Sequence, residues 1–181
     1  MMLERCYING LCILTPEVNE DYFGSHMEIF NKEVFKAYGI NNNFIQENQS
    51  YSVKGVLRGL HLQKKYPTAK MIRVIRGSIF DVAVDLRKGS FTFGEWYGIE
   101  LSEKNRKQLL VPEGFLHGFL VISDEAEVCF KVTEYWHPND EIGVIWNDPQ
   151  LNIKWPVQEK MEIIISERDR TLPKLQELRL F

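Results

Sequence analysis

The chain's four histidines are the first place to look for chemistry. His61 lies in Gly55-Val56-Leu57-Arg58-Gly59-Leu60-His61-Leu62-Gln63, three residues after a glycine-flanked arginine. That run, beside apolar strand positions, fits a lined cavity; it fits equally a histidine satisfied at the rim of a core. His117 lies in Pro112-Glu113-Gly114-Phe115-Leu116-His117-Gly118, a pattern that any Pro- and Gly-marked turn into a strand also produces. His137, before Pro138, reads as a surface turn, and His26 has no supporting neighbours. A histidine that works as a base near neutral pH needs a carboxylate to orient it. Asp169, in Ser166-Glu167-Arg168-Asp169-Arg170, is the candidate, from the far end of the chain. Lys70 shares parity with Ile72 and Val74 on an otherwise apolar strand face. It is either an edge residue that blocks strand pairing or an inward cation that stabilises an anion.

Other chemistries lack their residues. The P-x-G-x-x-H run ending at His117 matches the second motif of cupin barrels. Metal-binding cupins carry His-x-His in the first motif, because alternate strand residues point into the barrel together. Here His61 is followed by Gln63, a poor ligand, and no glutamate follows at short spacing. Two histidines without a carboxylate or thiolate make an incomplete site, so no metal is expected. There is no G-x-S-x-G, no P-loop and no G-x-G-x-x-G opening a helix, which leaves covalent serine catalysis, NTP hydrolysis and hydride transfer without support.

The elements that must position these residues are strands. In Ile79–Arg87 the even positions Phe80, Val82, Val84 and Leu86 are apolar while Asp81, Asp85 and Arg87 are polar. That alternation predicts a strand with one buried face. Met71–Ile75, Leu109–Val111, Phe119–Ile122, Val128–Thr133 and Gly143–Trp146 also read as strands. Turn signals separate them at Arg76-Gly77, Lys88-Gly89-Ser90, Pro112-Glu113-Gly114 and Ser123-Asp124. Short strands at this spacing, with no long helical period between them, predict an antiparallel sandwich or barrel. Helix is expected at Asn31–Tyr38, as a single turn at Glu103–Lys107, and in a tail from Pro173 to Phe181.

The chain has 181 residues, which predicts one domain over residues 1–181. Lys+Arg is 22 and Asp+Glu is 25, a formal charge of −3. So near neutrality, no global field draws the chain to nucleic acid or to an anionic membrane. No segment approaches the run of about 18 apolar residues that a transmembrane helix needs. The N-terminal stretch meets Glu4 and Arg5 at once, unlike a signal peptide. Three cysteines without a C-x-x-C, Cys6, Cys12 and Cys129, predict reduced thiols in a cytoplasmic protein.

Six stretches then occur in one order: Phe44–Ser50 (FIQENQS), Lys54–Gln63 (KGVLRGLHLQ), Phe80–Arg87 (FDVAVDLR), Leu109–Leu120 (LLVPEGFLHGFL), Trp146–Pro149 (WNDP) and Ser166–Asp169 (SERD). Together, over about Leu14 to Leu175, they resemble the dTDP-4-dehydrorhamnose 3,5-epimerase family. The resemblance implies an all-β, cupin-type antiparallel jelly roll with a few short peripheral helices, usually a homodimer that exchanges strands. It implies a nucleoside-diphosphate 4-keto-6-deoxy sugar as substrate, and no metal or organic cofactor. By the same resemblance His61 is the base, Asp169 its orienting carboxylate, Lys70 a cavity lysine, and Arg58 the arginine on the diphosphate. Gln46 and Asn48 fall on the pair that touches nucleotide and sugar. His117 and Glu28 fall on further pocket positions, and Glu141 and Arg168 on peripheral substrate contacts. Gln63, beside the base, is counted with the substrate-binding positions.

Two departures bear on the reaction. The family's D-x-R-G is here Asp21-Tyr22-Phe23-Gly24, so the arginine that reaches toward the diphosphate, from the neighbouring subunit, has become Phe23. The family's Tyr-Lys is here Phe130-Lys131, so the tyrosine taken as proton donor has become Phe130. Tyr135-Trp136 also replaces the usual Tyr-Tyr, which puts Trp136 among the substrate contacts. The expectation is a cofactor-independent epimerase that abstracts a proton beside a C4 ketone, with inversion restricted to C3. A ketoisomerase using the same enolate and a catalytically silent sugar-binding cupin are the alternatives.

Overall fold

The computed structural model describes residues 1–178. In chain order it contains β1 (Met2–Arg5), β2 (Cys12–Thr15), β3 (Val18–Asp21), β4 (Gly24–Met27), α1 (Lys32–Ala37), β5 (Gln46–Val53), β6 (Val56–Gln63), β7 (Lys70–Asp85), β8 (Trp96–Ser102), β9 (Gln108–Val111), β10 (Phe115–Val132), β11 (Glu141–Gly143), β12 (Ile164–Ile165) and α2 (Glu167–Arg170). Two long strands organise the rest. β7 has 16 residues and β10 has 18, and they run antiparallel along their whole lengths. Each changes its outer partner half-way. β7 pairs β9 through Lys70–Arg73 and then β8 through Ser78–Val84. β10 pairs β6 through His117–Leu120 and then β5 through Glu125–Val132.

The two long strands therefore bend out of one sheet and into a second. One sheet reads β8-β7-β10-β6-β11 and the other β1-β2-β9-β7-β10-β5, the two walls of a cupin-type jelly roll. This corrects the reading of Arg76-Gly77 and Ser123-Asp124 as turns between separate strands. Both are bends inside continuous strands. Gly77 has φ +77°, a β-carbon there would lie 2.0 Å from the Glu125 carbonyl oxygen, and the β7–β10 register skips between Val121 and Ala126. A bulge of this kind turns a strand without ending it.

The bend also overturns the one-faced reading of Ile79–Arg87. The even face, Phe80, Val82, Val84 and Leu86, packs with Leu60, Leu62, Leu116 and Val144 under the C-terminal segment, where Leu151 and Trp155 cover it. The odd face points into the barrel, and Asp81 and Asp85 are both fully buried. Asp85 is consumed by the turn that follows, accepting from Arg87, Ser90 and Thr92. Asp81 serves the cavity, as described below. The interior cluster between the sheets joins Ile72, Val74, Ile79, Phe115, Phe119 and Val128. Burying each such side chain contributes about 1.5–3 kcal/mol.

The helical expectations hold in part. Asn31 caps α1, accepting from the Glu33 and Val34 amides. Glu103–Lys107 is a hydrogen-bonded turn at residues 103–105 without a helix. The tail forms a 3₁₀ turn at Leu175–Glu177, and residues 179–181 lie outside the described residues. The strand read at Gly143–Trp146 is instead β11, ending at Gly143. β3 and β4 pair only with each other, as a hairpin apart from the main sheet. Among the described residues no helix is long and apolar enough to cross a membrane.

Candidate active site

In a regular strand, residues three apart lie on opposite faces, yet Arg58 and His61 both line the same cavity. Gly59 is the reason. It takes φ +114°, the β6–β10 register shifts beside it, and a β-carbon there would meet the Gly118 Cα at 2.7 Å. The bulge resets the parity of β6, so that Val56 and Arg58 face inward before it, and His61 and Gln63 after it. The expectation that Arg58 and His61 share a lined cavity is met through this bulge.

The cavity, about 660 Å³, lies between the two sheets. His61 Nε2 is 2.7 Å from Asp169 Oδ1, and the Gly59 N–H donates to Asp169 Oδ2 at 3.1 Å. β12 brings the carboxylate here by pairing in parallel with Val56 and Leu57 of β6. Ser166 then caps α2 and accepts the Asp169 N–H. Burial works against the Asp169 carboxylate, but the His61 hydrogen bond and charge, the Gly59 N–H and the Ser166 contact outweigh it. The carboxyl is held below its ordinary range. An ionised Asp169 accepts from Nε2–H, which leaves His61 Nδ1 as the lone-pair nitrogen toward the cavity. Glu141 Oε1 stands 3.9 Å from Nδ1 and also holds Arg168, while Glu141 Oε2 accepts the Trp136 indole N–H at 3.2 Å.

A second pair lies beside the first. His117 is the cross-strand partner of His61, and its Nε2 sits 3.0 and 2.9 Å from the two oxygens of Asp81. Asp81 was read as a solvent-face residue; Ile79 and Ala83 on the same parity were the signal that this face is also buried. Lys70 projects from β7 into the cavity, which decides between the edge and inward alternatives that its parity with Ile72 and Val74 left open. Burial pushes its ammonium below the ordinary lysine range, and Glu141 and Asp81 pull part of that back.

The remaining candidates divide. Gln46 and Asn48 line the cavity side by side, joined by a 2.9 Å hydrogen bond. Arg58 stands at the mouth, its Nε and Nη2 held by the Ser52 hydroxyl. Phe130 lines the cavity between Val128 and Val132, where the donor position was expected. Tyr135 carries the nearest tyrosine in sequence, but its side chain is exposed and is not part of the lining. The expectations for Gln63 and Glu28 need correction, and Phe23, expected to face a neighbouring subunit, stands outside this chain's own cavity. Gln63 lines the wall with no polar atom to spare: its amide donates to the Tyr66 and Tyr135 carbonyls and accepts the His137 N–H. It pins two loops instead of offering a substrate contact. Glu28 is exposed, bonded to Asn31, and absent from the lining. Phe23 is 81% exposed at the tip of the β3–β4 hairpin, stacked on Tyr22. Both lie on or beside an arm that does not reach this chain's own cavity. Ser50 and Ser166 went unnoticed in the sequence, although Ser166 and Asp169 form a recognisable capping spacing.

A cupin-type barrel with two buried histidine–aspartate pairs, a desolvated lysine and an arginine at the mouth defines a protein that moves protons on an anionic ligand. Comparison with known proteins narrows the class. A family model described as dTDP-4-dehydrorhamnose 3,5-epimerase matches residues 5–177. The chain is 51% identical to dTDP-4-dehydrorhamnose 3,5-epimerase of Methanothermobacter thermautotrophicus, over 94% of this chain and 92% of that one. The structure of the 3,5-epimerase RmlC from Legionella pneumophila in complex with dTDP-4-keto-L-rhamnose superposes with a TM-score of 0.95 at 40% identity, covering 98% of this chain and 94% of that one. ChmJ, a 3′-monoepimerase from Streptomyces bikiniensis in complex with dTDP-quinovose, superposes with a TM-score of 0.87 at 31% identity, covering 94% and 86%. The chain belongs to the dTDP-4-dehydrorhamnose 3,5-epimerase family.

Proposed function

We propose that the protein epimerises a dTDP-linked 4-keto-6-deoxy sugar at C3, with inversion at C5 slow or absent. The observation that carries the proton-transfer chemistry is the His61–Asp169 pair, with Nδ1 making no hydrogen bond among the described residues and Glu141 Oε1 3.9 Å from it. A C4 ketone acidifies the hydrogens on C3 and C5, because the carbanion delocalises onto oxygen. His61 removes such a proton, and Asp169 fixes the tautomer and stabilises the imidazolium. Lys70 holds charge against the enolate oxygen; a well-placed donor of this kind is worth about 3–4 kcal/mol in other systems. Arg58 takes the diphosphate as a planar fork. The apolar wall of Val128, Phe130 and Val132 keeps the enolate from bulk water.

The restriction to C3 rests on Phe130, which lines the cavity and has no proton to give. A well-placed donor is typically worth about 10²–10⁴-fold. The 3′-monoepimerase among the structural relatives pairs this fold with a single inversion; a tyrosine-to-phenylalanine variant of it is also known, so it keeps a tyrosine of its own and supports single inversion without tying it to Phe130. C3 and C5 are each two bonds from the anomeric carbon that carries the nucleotide, so the choice between them rests on assigning the missing donor at position 130 to C5. We further propose a homodimer in which the β3–β4 hairpin, with its exposed Tyr22 and Phe23, lies over the neighbour's cavity. The three free cysteines suit a reducing, cytoplasmic compartment.

The test is proton NMR of dTDP-4-keto-6-deoxyglucose in deuterated buffer. Deuterium is expected at C3 well before C5, and Phe130→Tyr should raise exchange at C5. Comparable incorporation at both carbons in the unmodified protein would end the single-inversion reading.

A further inference from the structure

Inversion at carbon requires two proton positions, one on each face of the sugar ring. The structure supplies the first in plain view. His61 stands on β6 and His117 beside it on β10, one rung apart in the same sheet. Two histidines on one wall serve one face. The second proton must therefore come from the facing sheet, where β5, the second half of β10 and the first half of β7 line the cavity.

The strands of that wall present amides from Gln46 and Asn48, a hydroxyl from Ser50, and the side chains of Val128, Phe130 and Val132. Amides and an aliphatic hydroxyl hold their protons far too tightly to protonate carbon near neutral pH, and the others have none to give. Lys70 is the remaining cavity-lining side chain on those strands; Glu134, just past the end of β10, also lines the cavity, but its carboxyl accepts the Tyr135 N–H and faces His137. It is the cross-strand partner of Val132, and Phe130 is paired with Ile72, so Lys70 and Phe130 sit diagonally on one face. Among the described residues its ammonium makes no hydrogen bond and no ion pair, although Glu141 and Asp81 lie near enough to act on it. An ammonium partly stripped of water and left without a fixed partner is an acid held ready for use.

We propose that Lys70 delivers the proton to the sugar carbon on the face opposite His61. This rests on the epimerase reading and adds a step to it. His61 Nδ1 takes the proton as the C3–H bond breaks, and the electron pair moves into the enolate. A Lys70 N–H bond then breaks, its electron pair stays on nitrogen, and a new C3–H bond forms on the other face. The enzyme is left with a protonated His61 and a neutral Lys70, and solvent restores both between turnovers. Burial, which lowers the lysine's hold on its proton, makes the transfer easier. Lys70 thus does what a phenol at position 130 would do, from the neighbouring strand.

The test separates exchange from inversion in the same NMR assay. Lys70→Arg keeps the positive charge against the enolate but gives up its proton poorly. It should retain exchange at C3 within about tenfold and lose inversion by at least 100-fold, so that deuterium enters with retained configuration. Lys70→Met should lower the ratio of inversion to exchange in the same direction. Adding Phe130→Tyr to Lys70→Met should restore inversion, because a phenol then faces the carbon. Circular dichroism and melting temperature confirm that each variant folds. Exchange and inversion falling in parallel in Lys70→Arg, or a double variant that stays without inversion, would overturn the proposal. No exchange at all in the unmodified protein would instead sink the epimerase reading on which it rests.

Discussion

His61 and His117 occupy one rung of the β6–β10 ladder, and each gives its Nε2 to a different buried carboxylate, Asp169 for the first and Asp81 for the second. Neighbouring side chains on that rung lie about 4.5–5.5 Å apart at Cβ. Two imidazolium rings at that spacing would repel, and each carboxylate offsets the charge of its own ring. The two rings are fixed from separate parts of the chain: Asp81 comes from the second half of β7, and Asp169 from a one-turn helix over one hundred residues after His61.

Removing the base removes the chemistry. His61→Ala should lower the C3 exchange rate by about 10²–10⁴-fold, with a melting temperature near that of the parent. Asp169→Ala should lose exchange as well, because the ring is then free to turn and its tautomer is unset. NMR exchange rates read both variants, and near-parent turnover in His61→Ala would assign the base to another group.

The Asp169 carboxyl titrates below its ordinary value in the folded protein. Its contribution to stability is therefore fully present above the unfolded carboxyl pKa of about 3.9 and is lost as the pH falls through the lower folded value. Denaturant unfolding followed from about pH 6 down to about pH 2 should show a steeper acid loss in the parent than in Asp169→Asn. Parallel curves would mean that the carboxyl binds its proton equally well folded and unfolded.

The proposed function puts phosphate anchoring on Arg58, since Phe23 brings no charge. A charge-assisted hydrogen bond is worth about 1.5–3 kcal/mol, or on the order of tenfold to a hundredfold in binding. Arg58→Ala should raise KM by that factor with a smaller change in kcat. Ser52→Ala, which frees two guanidinium contacts, should raise KM less. An unchanged KM in Arg58→Ala would place the diphosphate elsewhere.

Gln63 holds the segments that end at Tyr66 and begin at Tyr135, with Trp136 between two of its contacts. Gln63→Leu strands two carbonyls and an amide, at about 1–3 kcal/mol for each that stays buried without water. The melting temperature should drop, and KM should rise more than kcat falls as Trp136 loses its seat. A variant with parent stability and a selective loss of kcat would show that Gln63 acts on the reacting sugar itself.

The sequence alone determined a good deal. Strand alternation and short spacing pointed to an all-β barrel, because these depend on residue types and on local period, and the order of six motifs carried the family resemblance that names His61 and Asp169. Parity left Lys70 open between an edge residue and an inward cation, and the structure decided for the cavity. Only the tertiary structure decided which turn signals were bends. Gly77 and Ser123 look like breaks in a one-dimensional pattern, yet the antiparallel pairing of β7 with β10 carries both strands through them. Only the tertiary structure showed that Asp81 is buried, since its face, hinted at by Ile79 and Ala83 alone, is covered by a second sheet. The Gly59 bulge that turns Arg58 and His61 into one cavity, and two of the three backbone contacts that use up Gln63, depend on residues far away in sequence. Local period fixes which residues alternate; what lies against each face is decided by where the chain returns.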